Sequence, residues 1–209
     1  MKMGIDIDEE IEHFFEPPPA EGPGDGPTCS ILFLLRRDLR DLTGQESKPE
    51  SRELLRTPIL ASFGIMIGLE LLARVWLGEN DPKRPQLKKA FQEILEVDSR
   101  TADLMTHFRD AIGHGYQLSI HARDRKEYHF AVDDSAHVNS SFFEPGDATH
   151  THYTIQFWTL RAKFLNAIQK VRATLANPGN DQHRMHFYAM IPYLRPYEIR
   201  QSYGFKPNR

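Results

Sequence analysis

The sequence predicts a mainly α protein: an antiparallel helical bundle with a small β-hairpin, or a three-stranded antiparallel insertion, before the last helix. Three observations support this fold class. Apolar residues recur at helical spacing in several stretches before residue 115. Between residues 116 and 157 the pattern changes to β-prone runs, and one more long helical pattern follows. Short polar links join the helical stretches, which is typical of bundles.

The composition indicates a globular chain with an uneven charge. The 209 residues are enough for one domain with a sizeable core. Residues 1–28 hold one Lys and eight acids, whereas residues 29–209 hold 25 Lys or Arg and 21 acids. The mildly basic body therefore permits an anionic partner without requiring one. Cys29 is the only cysteine, so an intrachain disulfide is excluded, and we expect a cytoplasmic protein.

We divide the chain into an acidic flexible leader (1–28), a helical domain (29–179) and an aromatic and basic C-terminal tail (180–209). In the leader, Ile5–Phe15 can form an acidic amphipathic segment, and a Pro- and Gly-rich linker follows it. In the tail, prolines at 192, 196 and 207 argue against a regular helix throughout. We expect the tail to lie across its own domain or a dimer partner. A nucleic-acid arm is the alternative, because aromatics among cations suit stacked bases and phosphates.

The domain begins with two predicted helices. The first is Cys29–Leu42, for which Thr28 is a suitable N-cap. The second is the long apolar stretch Thr57–Gly78, with Thr57 as the cap and Pro58 at the first helical position. A polar link connects the two.

Two features of the long apolar helix bear on its environment. Glu70 and Arg74 interrupt its most apolar run, and each would cost ~2.5–3.5 kcal/mol near the centre of a bilayer. We therefore interpret it as a buried core helix, with no membrane partner. The two charges predict an internal ion pair, or else a polar group that lines a functional cleft. Gly64 and Gly68 lie four residues apart, so another helix is expected to pack closely there.

The remaining elements follow in order. Pro85 opens a third helix to about Val97, and Asp98 or Ser99 caps a fourth. Two β-prone runs around a polar turn predict a hairpin, and His152–Phe157 suggests a third strand after a polar loop at Asp133–Thr149. Thr159 is expected to cap the last long helix, which extends to Ala176.

The stretch that contains the candidate catalytic residues is Leu104–Gly115, at the end of the fourth helix. Its apolar residues form one helical stripe, and Arg109, Asp110 and His114 lie off that stripe. A cation, a carboxylate and an imidazole thus fall within six residues of one another. Gly113 and Gly115 allow the backbone on either side of His114 a wider range of conformations. The alternative is an ordinary helix end with a histidine near its C-terminus.

Other residue patterns were weighed as metal sites. His150 and His152 would share a strand face, and His183 and His186 are three residues apart, which are both ligand-like spacings. No cysteine pair and no His-Glu-x-x-His helix accompanies them. We therefore expect surface histidines, no metal site and no cofactor. His121 and His129 are expected to face each other across the hairpin.

The order of the elements around Arg109 resembles a known superfamily. A long apolar helix contains Gly68–Ala73 (GLELLA), and a short helix carries Phe91. A helix ending in FRDAIGHG, a hairpin and a final helix follow. This order, with an Arg and a His separated by four residues, resembles the HEPN superfamily of helical-bundle proteins over roughly Cys29–Ala176. The residue after the Arg is commonly Asn or another polar type in that family, and here it is Asp110.

The resemblance implies a HEPN-like metal-independent endoribonuclease, such as a toxin or an RNA-based defence factor. The implied partners are a second copy of the chain, single-stranded RNA or a nucleotide, and an antitoxin. Arg109 and His114 would be catalytic, with Asp110 in support. A non-catalytic HEPN-like module that binds a nucleotide or a partner protein is the alternative, and a pure assembly protein is a third.

Few groups are needed for such RNA cleavage. A base removes the proton of the 2′-hydroxyl, whose oxygen attacks the adjacent phosphate, and a cation stabilises the charge that develops. His114 titrates near neutrality, and Arg109 offers a planar fork to phosphate. Asp110, four residues before His114, could orient the imidazole ring. On an ideal helix, however, Arg109 and His114 lie about 140° apart, so they can meet one phosphate only if the helix loosens near Gly113, if Arg109 reaches round, or if a second subunit contributes. The dimer that the resemblance implies would meet this requirement.

Overall fold

A computed structural model describes residues 6–16, 31–32, 35–36, 39, 58–113, 118–121, 126–134, 143–146 and 151–194. Within these residues the fold is mainly helical with a small sheet, as the sequence predicts. The helices are α1 (Ile7–Phe15), α2 (Pro58–Leu77), α3 (Arg84–Leu95), α4 (Ser99–Gly113), α5 (Phe157–Ala176) and α6 (Asp181–Leu194). The strands are β1 (Ser119–His121), β2 (Glu127–Asp133), β3 (Phe143–Pro145) and β4 (His152–Gln156).

The first predicted helix, Cys29–Leu42, is described only in part. Residues 31–32, 35–36 and 39 are helical, and Leu32 and Leu39 are buried. Cys29, the predicted cap Thr28 and the ends of this helix lie outside the described residues, as does Thr57.

The core is built around α2. Ten of its 20 residues are buried, and it packs against α3, α5 and α6. At Gly68 an added Cβ would lie 2.5 Å from Cζ of Phe164 in α5, so the predicted close helix packing is confirmed there. Among the described residues α2 is long and apolar enough to cross a membrane, a test that core helices of soluble proteins also pass.

The helix ends around the site follow ordinary capping chemistry. Oδ1 of Asp98 accepts hydrogen bonds from the backbone N–H groups of Arg100 and Thr101 at 2.8 and 3.0 Å, so Asp98 caps α4 as predicted. Gly78 ends α2 with φ of 70°, a left-handed conformation that favours glycine. The last long helix, α5, begins two residues before the predicted cap Thr159.

The sheet has the strand order β1-β2-β4-β3. β1 and β2 pair antiparallel, with Ile120 opposite Tyr128, so the predicted hairpin is confirmed. β4 pairs antiparallel with β3 and parallel with β2. One face of the sheet is buried, and its ring contacts include Phe130 against Phe108 of α4 at 5.3 Å between centroids.

The prediction of an antiparallel insertion with at most three strands is wrong in two respects. A short strand, β3, lies inside the predicted loop Asp133–Thr149, and the sheet is mixed rather than antiparallel. β3 has three residues, too few to show alternation in the sequence. β4 lies between β2 and β3, and it runs antiparallel to β3 and parallel to β2. Two helices rather than one follow the sheet.

α6 shows that part of the segment 180–209 is a regular helix, although the prolines argue against one throughout. Asp181–Leu194 is helical, and the helix ends two residues after Pro192, which cannot donate its backbone hydrogen bond. Its buried residues are Phe187, Met190, Ile191 and Leu194. This part of the segment therefore lies across its own domain, and residues 195–209 are outside the described part.

α1 confirms the amphipathic segment predicted in the leader and places it in the core. Ile11, Phe14 and Phe15 are buried. Arg172 of α5 donates hydrogen bonds of 2.7 Å to Glu16 and to Glu12. The boundary predicted at residue 28 therefore does not separate α1 from the helical domain, and the linker lies outside the described residues.

Candidate functional site

The predicted site residues fall at the C-terminal end of α4. The predicted apolar stripe is confirmed, since Leu104, Phe108, Ala111 and Ile112 are buried. Arg109 and Asp110 lie off this stripe and are half-buried. His114 follows the last residue of α4, Gly113, and lies outside the described residues. The structure thus describes two of the three residues predicted to be catalytic.

The Arg109 guanidinium is held by two carboxylates. Its Nε donates to Oε2 of Glu70 at 2.7 Å, and its Nη1 donates to Oδ1 of Asp110 at 2.9 Å. The hydrogen bond with Glu70 is the main reason why the pKa of Arg109 is raised above its ordinary value. Arg109 is therefore a permanent cation. No described residue accepts a hydrogen bond from its Nη2.

Glu70 bridges Arg109 to Arg74, which lies one turn further along α2. Arg74 donates from Nη2 to Oε1 of Glu70, so each carboxylate oxygen receives one arginine. Burial alone would raise the pKa of Glu70, but the hydrogen bonds from Arg109 and Arg74 outweigh it and hold the pKa below its ordinary value. The predicted ion pair between Glu70 and Arg74 is confirmed.

Asp110 lies between two arginines. Its Oδ2 is 3.8 Å from Nη1 of Arg84, at the start of α3. Nη2 of Arg84 is in turn 3.6 Å from Oδ1 of Asp103. Both distances are too long for a hydrogen bond, so these are loose ion pairs. The predicted role of Asp110 in orienting His114 stays a prediction, because His114 is outside the described residues.

These contacts belong to a row of alternating charges that crosses three helices. The row consists of Lys88, Asp103, Arg84, Asp110, Arg109, Glu70 and Arg74. Its four cations and three carboxylates leave one net positive charge. The row links α2, α3 and α4 and favours an anionic ligand.

A surface cleft of about 130 Å³ opens beside Arg109. Its lining residues are Phe63, Met66, Ile67, Glu70, Arg109 and Gly113. The first three form an apolar wall on α2, and Glu70 with Arg109 forms a polar wall. Pockets for drug-sized ligands measure ~300–1,000 Å³, so this cleft accommodates one small group and not a whole nucleotide.

Sequence analysis missed two residues near this cluster. Arg84 immediately precedes Pro85, which was predicted to open the third helix, and nothing in the sequence places it beside Asp110. His107 is buried and stacks on Tyr128 of β2, with ring centroids 4.2 Å apart. Its Nε2 is 3.7 Å from Asp103, one turn earlier, and that helical spacing is the signal that could have found the pair.

The described histidines of the sheet lie on its exposed face and contact neighbouring side chains there. His129 and His152, from neighbouring strands, stack with ring centroids 4.5 Å apart. His121 lies opposite Glu127, and His129 lies opposite Ser119, so the predicted pairing of the two histidines is wrong by two residues. His150 lies outside the described residues.

The second histidine pair joins α6 to the end of α2. His183 packs against the Trp76 ring with centroids 4.1 Å apart, and Nδ1 of His186 is 2.8 Å from the Trp76 carbonyl oxygen. Burial, helped by the neighbouring His186, lowers the pKa of His183. Within the described ranges no group of three or more His, Cys, Asp or Glu is placed to hold a metal ion.

Comparisons with family models, with curated proteins and with solved structures find no match for this chain. The class of protein is therefore argued from the residues at the end of α4 and from their geometry.

Proposed function

We propose that this protein is a HEPN-like endoribonuclease that cleaves single-stranded RNA without a metal ion, with Arg109, His114 and Asp110 as catalytic residues. The observation that carries the proposal is the position of Arg109. It is a permanent, half-buried cation in a cleft that is also lined by Gly113, the residue before His114. We infer an antiparallel bundle for the helices and a toxin or RNA-based defence factor as the biological setting. A cytoplasmic location and an antitoxin partner belong to that setting.

The proposed reaction needs one base and one cation. His114 removes the 2′-hydroxyl proton, and the oxygen attacks the adjacent phosphorus. The P–O5′ bond breaks, the 5′-oxygen takes a proton from water, and the products are a 2′,3′-cyclic phosphate and a 5′-hydroxyl. Arg109 stabilises the charge on the phosphoryl oxygens. Glu70 and Asp110 use only its Nε and one Nη1 hydrogen. The remaining Nη1 and Nη2 donors can therefore bind phosphate without displacing either carboxylate.

A second candidate is a non-catalytic HEPN-like module that binds a nucleotide or a partner protein. The observation in its favour is the pair of carboxylates, Glu70 and Asp110, on the guanidinium that would stabilise the reaction. Their negative charges oppose the build-up of charge on an attacked phosphate. The apolar wall of Phe63, Met66 and Ile67 would serve a binding module equally well.

We infer that the working form is a homodimer. Near the cleft, α2 exposes Ile59, Leu60 and Ile67, with 41%, 46% and 38% of each residue's surface accessible. A second copy on this face would bury apolar surface, and two adjacent clefts would provide the room for a nucleotide that one cleft lacks. In such a dimer, Arg109 of one chain and His114 of the other could contact one phosphate, although the two residues would lie on different sides of a single ideal helix.

The proposal is tested by incubating the protein with single-stranded RNA in the presence of EDTA. We expect cleavage that produces 2′,3′-cyclic phosphate ends. His114→Ala should reduce the rate by ~10²–10⁴-fold, the usual contribution of a general acid–base group. Arg109→Gln should also abolish most of the cleavage, because the variant cannot stabilise the charged phosphate.

Arg172→Gln is the matched control. Arg172 also binds two carboxylates, Glu12 and Glu16, but it lies at the contact between α1 and α5. This variant should cleave RNA at the wild-type rate. If wild-type protein cleaves no RNA while it binds nucleotides with a dependence on Arg109, the binding module is the correct function.

A further inference from the structure

Arg84, in the first turn of α3, is a partly exposed cation whose pairing is incomplete. Its nearest carboxylate oxygens belong to Asp103 and Asp110, at 3.6 and 3.8 Å. No described residue accepts a hydrogen bond from its guanidinium. Its side chain is 32% exposed. Arg84 can therefore donate to a ligand at the surface without breaking a hydrogen bond to a described residue.

Arg84 and Arg109 are neighbours across a single carboxylate. One oxygen of Asp110 accepts from Arg109, and the other faces Arg84. The two guanidiniums thus flank the same carboxylate from different helices. A strand that places one phosphate on Arg109 would bring an adjacent phosphate within reach of Arg84.

The ion pairs of Arg84 present little obstacle to a phosphate. Asp103 also interacts with Lys88 at 3.7 Å, so its charge is shared between two cations. Loose, partly exposed pairs of this kind contribute little to stability, so a phosphate can replace them. Arg74 differs, because it is hydrogen-bonded to Glu70 and its replacement would disturb Arg109 as well.

We propose that Arg84 is a phosphate-binding residue that holds the phosphate next to the one on Arg109. The ligand of the site is then a polynucleotide strand with at least two consecutive phosphates, and a mononucleotide fills only half of it. This inference rests on the proposed function, because it requires Arg109 to bind the scissile phosphate.

The experiment measures binding and avoids cleavage. The probe is a fluorescent single-stranded 2′-O-methyl RNA, which lacks the attacking hydroxyl, titrated by anisotropy between about 50 and 200 mM salt. Arg84→Gln should weaken binding and reduce the salt slope by about 0.7, the value for one lost phosphate contact on a single strand. A nucleoside 3′-monophosphate, measured by competition, should bind Arg84→Gln as it binds wild type. Arg109→Gln should weaken both ligands.

Lys89→Gln is the matched control on the same helix. Lys89 also makes one loose ion pair, 3.9 Å from Glu93, and its side chain is 74% exposed. Its replacement should leave the salt slope unchanged, and Arg84→Lys, which keeps the charge, should restore most of the slope. Thermal unfolding of each variant shows that it is folded.

The outcomes separate the two proposals. An Arg84→Gln protein with the wild-type salt slope overturns the role of Arg84 and leaves the ribonuclease proposal standing. A wild-type protein that binds neither probe refutes the ribonuclease proposal, and the role of Arg84 falls with it.

Discussion

Glu70 fixes the Arg109 side chain from a neighbouring helix. Its side chain is 14% exposed, and each of its oxygens accepts from one arginine. Without it, Arg109 and Arg74 would both keep N–H groups in a half-buried site with no acceptor. We expect Glu70→Ala to lower the free energy of unfolding by about 1–3 kcal/mol, the cost of leaving partly buried polar groups unsatisfied. Urea denaturation measures this change.

The same side chain predicts a dependence on pH. Its pKa is held below the ordinary value of 4.5, so its stabilising effect is complete above that pH and is lost as pH falls through the folded-state pKa. Glu70→Gln should therefore lose less stability than wild type on acidification from about pH 7 to about pH 3. Glu9→Ala, at a side chain 66% exposed, is the control and should change stability by less than about 0.5 kcal/mol. Equal acid sensitivity in wild type and Glu70→Gln would contradict the assignment.

The sequence predicted some residues of the row of alternating charges and missed others. Helical spacing places Arg109 and Asp110 on α4, off its apolar stripe, and this part was predictable. Glu70 contacts Arg109 from 39 residues earlier in the chain, and Arg84 approaches Asp110 from a third helix. Only tertiary packing decides such contacts, so local patterns could name Glu70 as a candidate and could not identify Arg84.

The contact between α2 and α5 depends on the absence of a side chain at Gly68. In Gly68→Ala the new Cβ would lie 2.5 Å from Cζ and 2.7 Å from Cε2 of Phe164. Phe164 is itself buried, so the ring cannot move outward and the helices must separate. Such overpacking costs about 1–3 kcal/mol. We therefore expect a lower melting temperature, measured by thermal unfolding followed by circular dichroism.

Gly113→Ala serves as the control for this substitution. An added Cβ at Gly113, the last residue of α4, meets no atom within 4 Å. Alanine also favours the helix over glycine, so this variant should be as stable as wild type or more stable. If Gly68→Ala were as stable as Gly113→Ala, the close approach of α2 and α5 would be refuted.

The elements with strong helical periodicity were predictable, and the exceptions have physical reasons. α2 and α5 bury long apolar stripes, which set both their existence and their contacts. α6 was not predicted because its prolines argue against a regular helix throughout the tail, and the helix ends two residues after Pro192. β3 was missed because three residues, one of them a proline, give no period. β4 reverses direction relative to β3 and so runs parallel to β2; without β3, the sequence could not predict this parallel pairing.

In the folded molecule, the row of alternating charges lies beside an exposed apolar surface. Ile67 belongs to both, because it lines the cleft with Arg109 and is 38% exposed. The proposed homodimer would cover Ile59, Leu60 and Ile67, which α2 exposes to solvent. If two copies meet there, Arg109 of one chain and His114 of the other can serve one phosphate.

A shared site predicts complementation between inactive chains. Arg109→Gln and His114→Ala proteins, each inactive alone, should regain RNA cleavage when they are mixed and allowed to exchange subunits. Each mixed dimer would hold one site with an intact Arg109 and an intact His114, and one site with neither. Ile67→Glu, which places a charge in the proposed interface, should yield a monomer in sedimentation analysis and should prevent the rescue. Mixed chains that stay inactive, although they form dimers, would show that Arg109 and His114 of each site belong to a single chain.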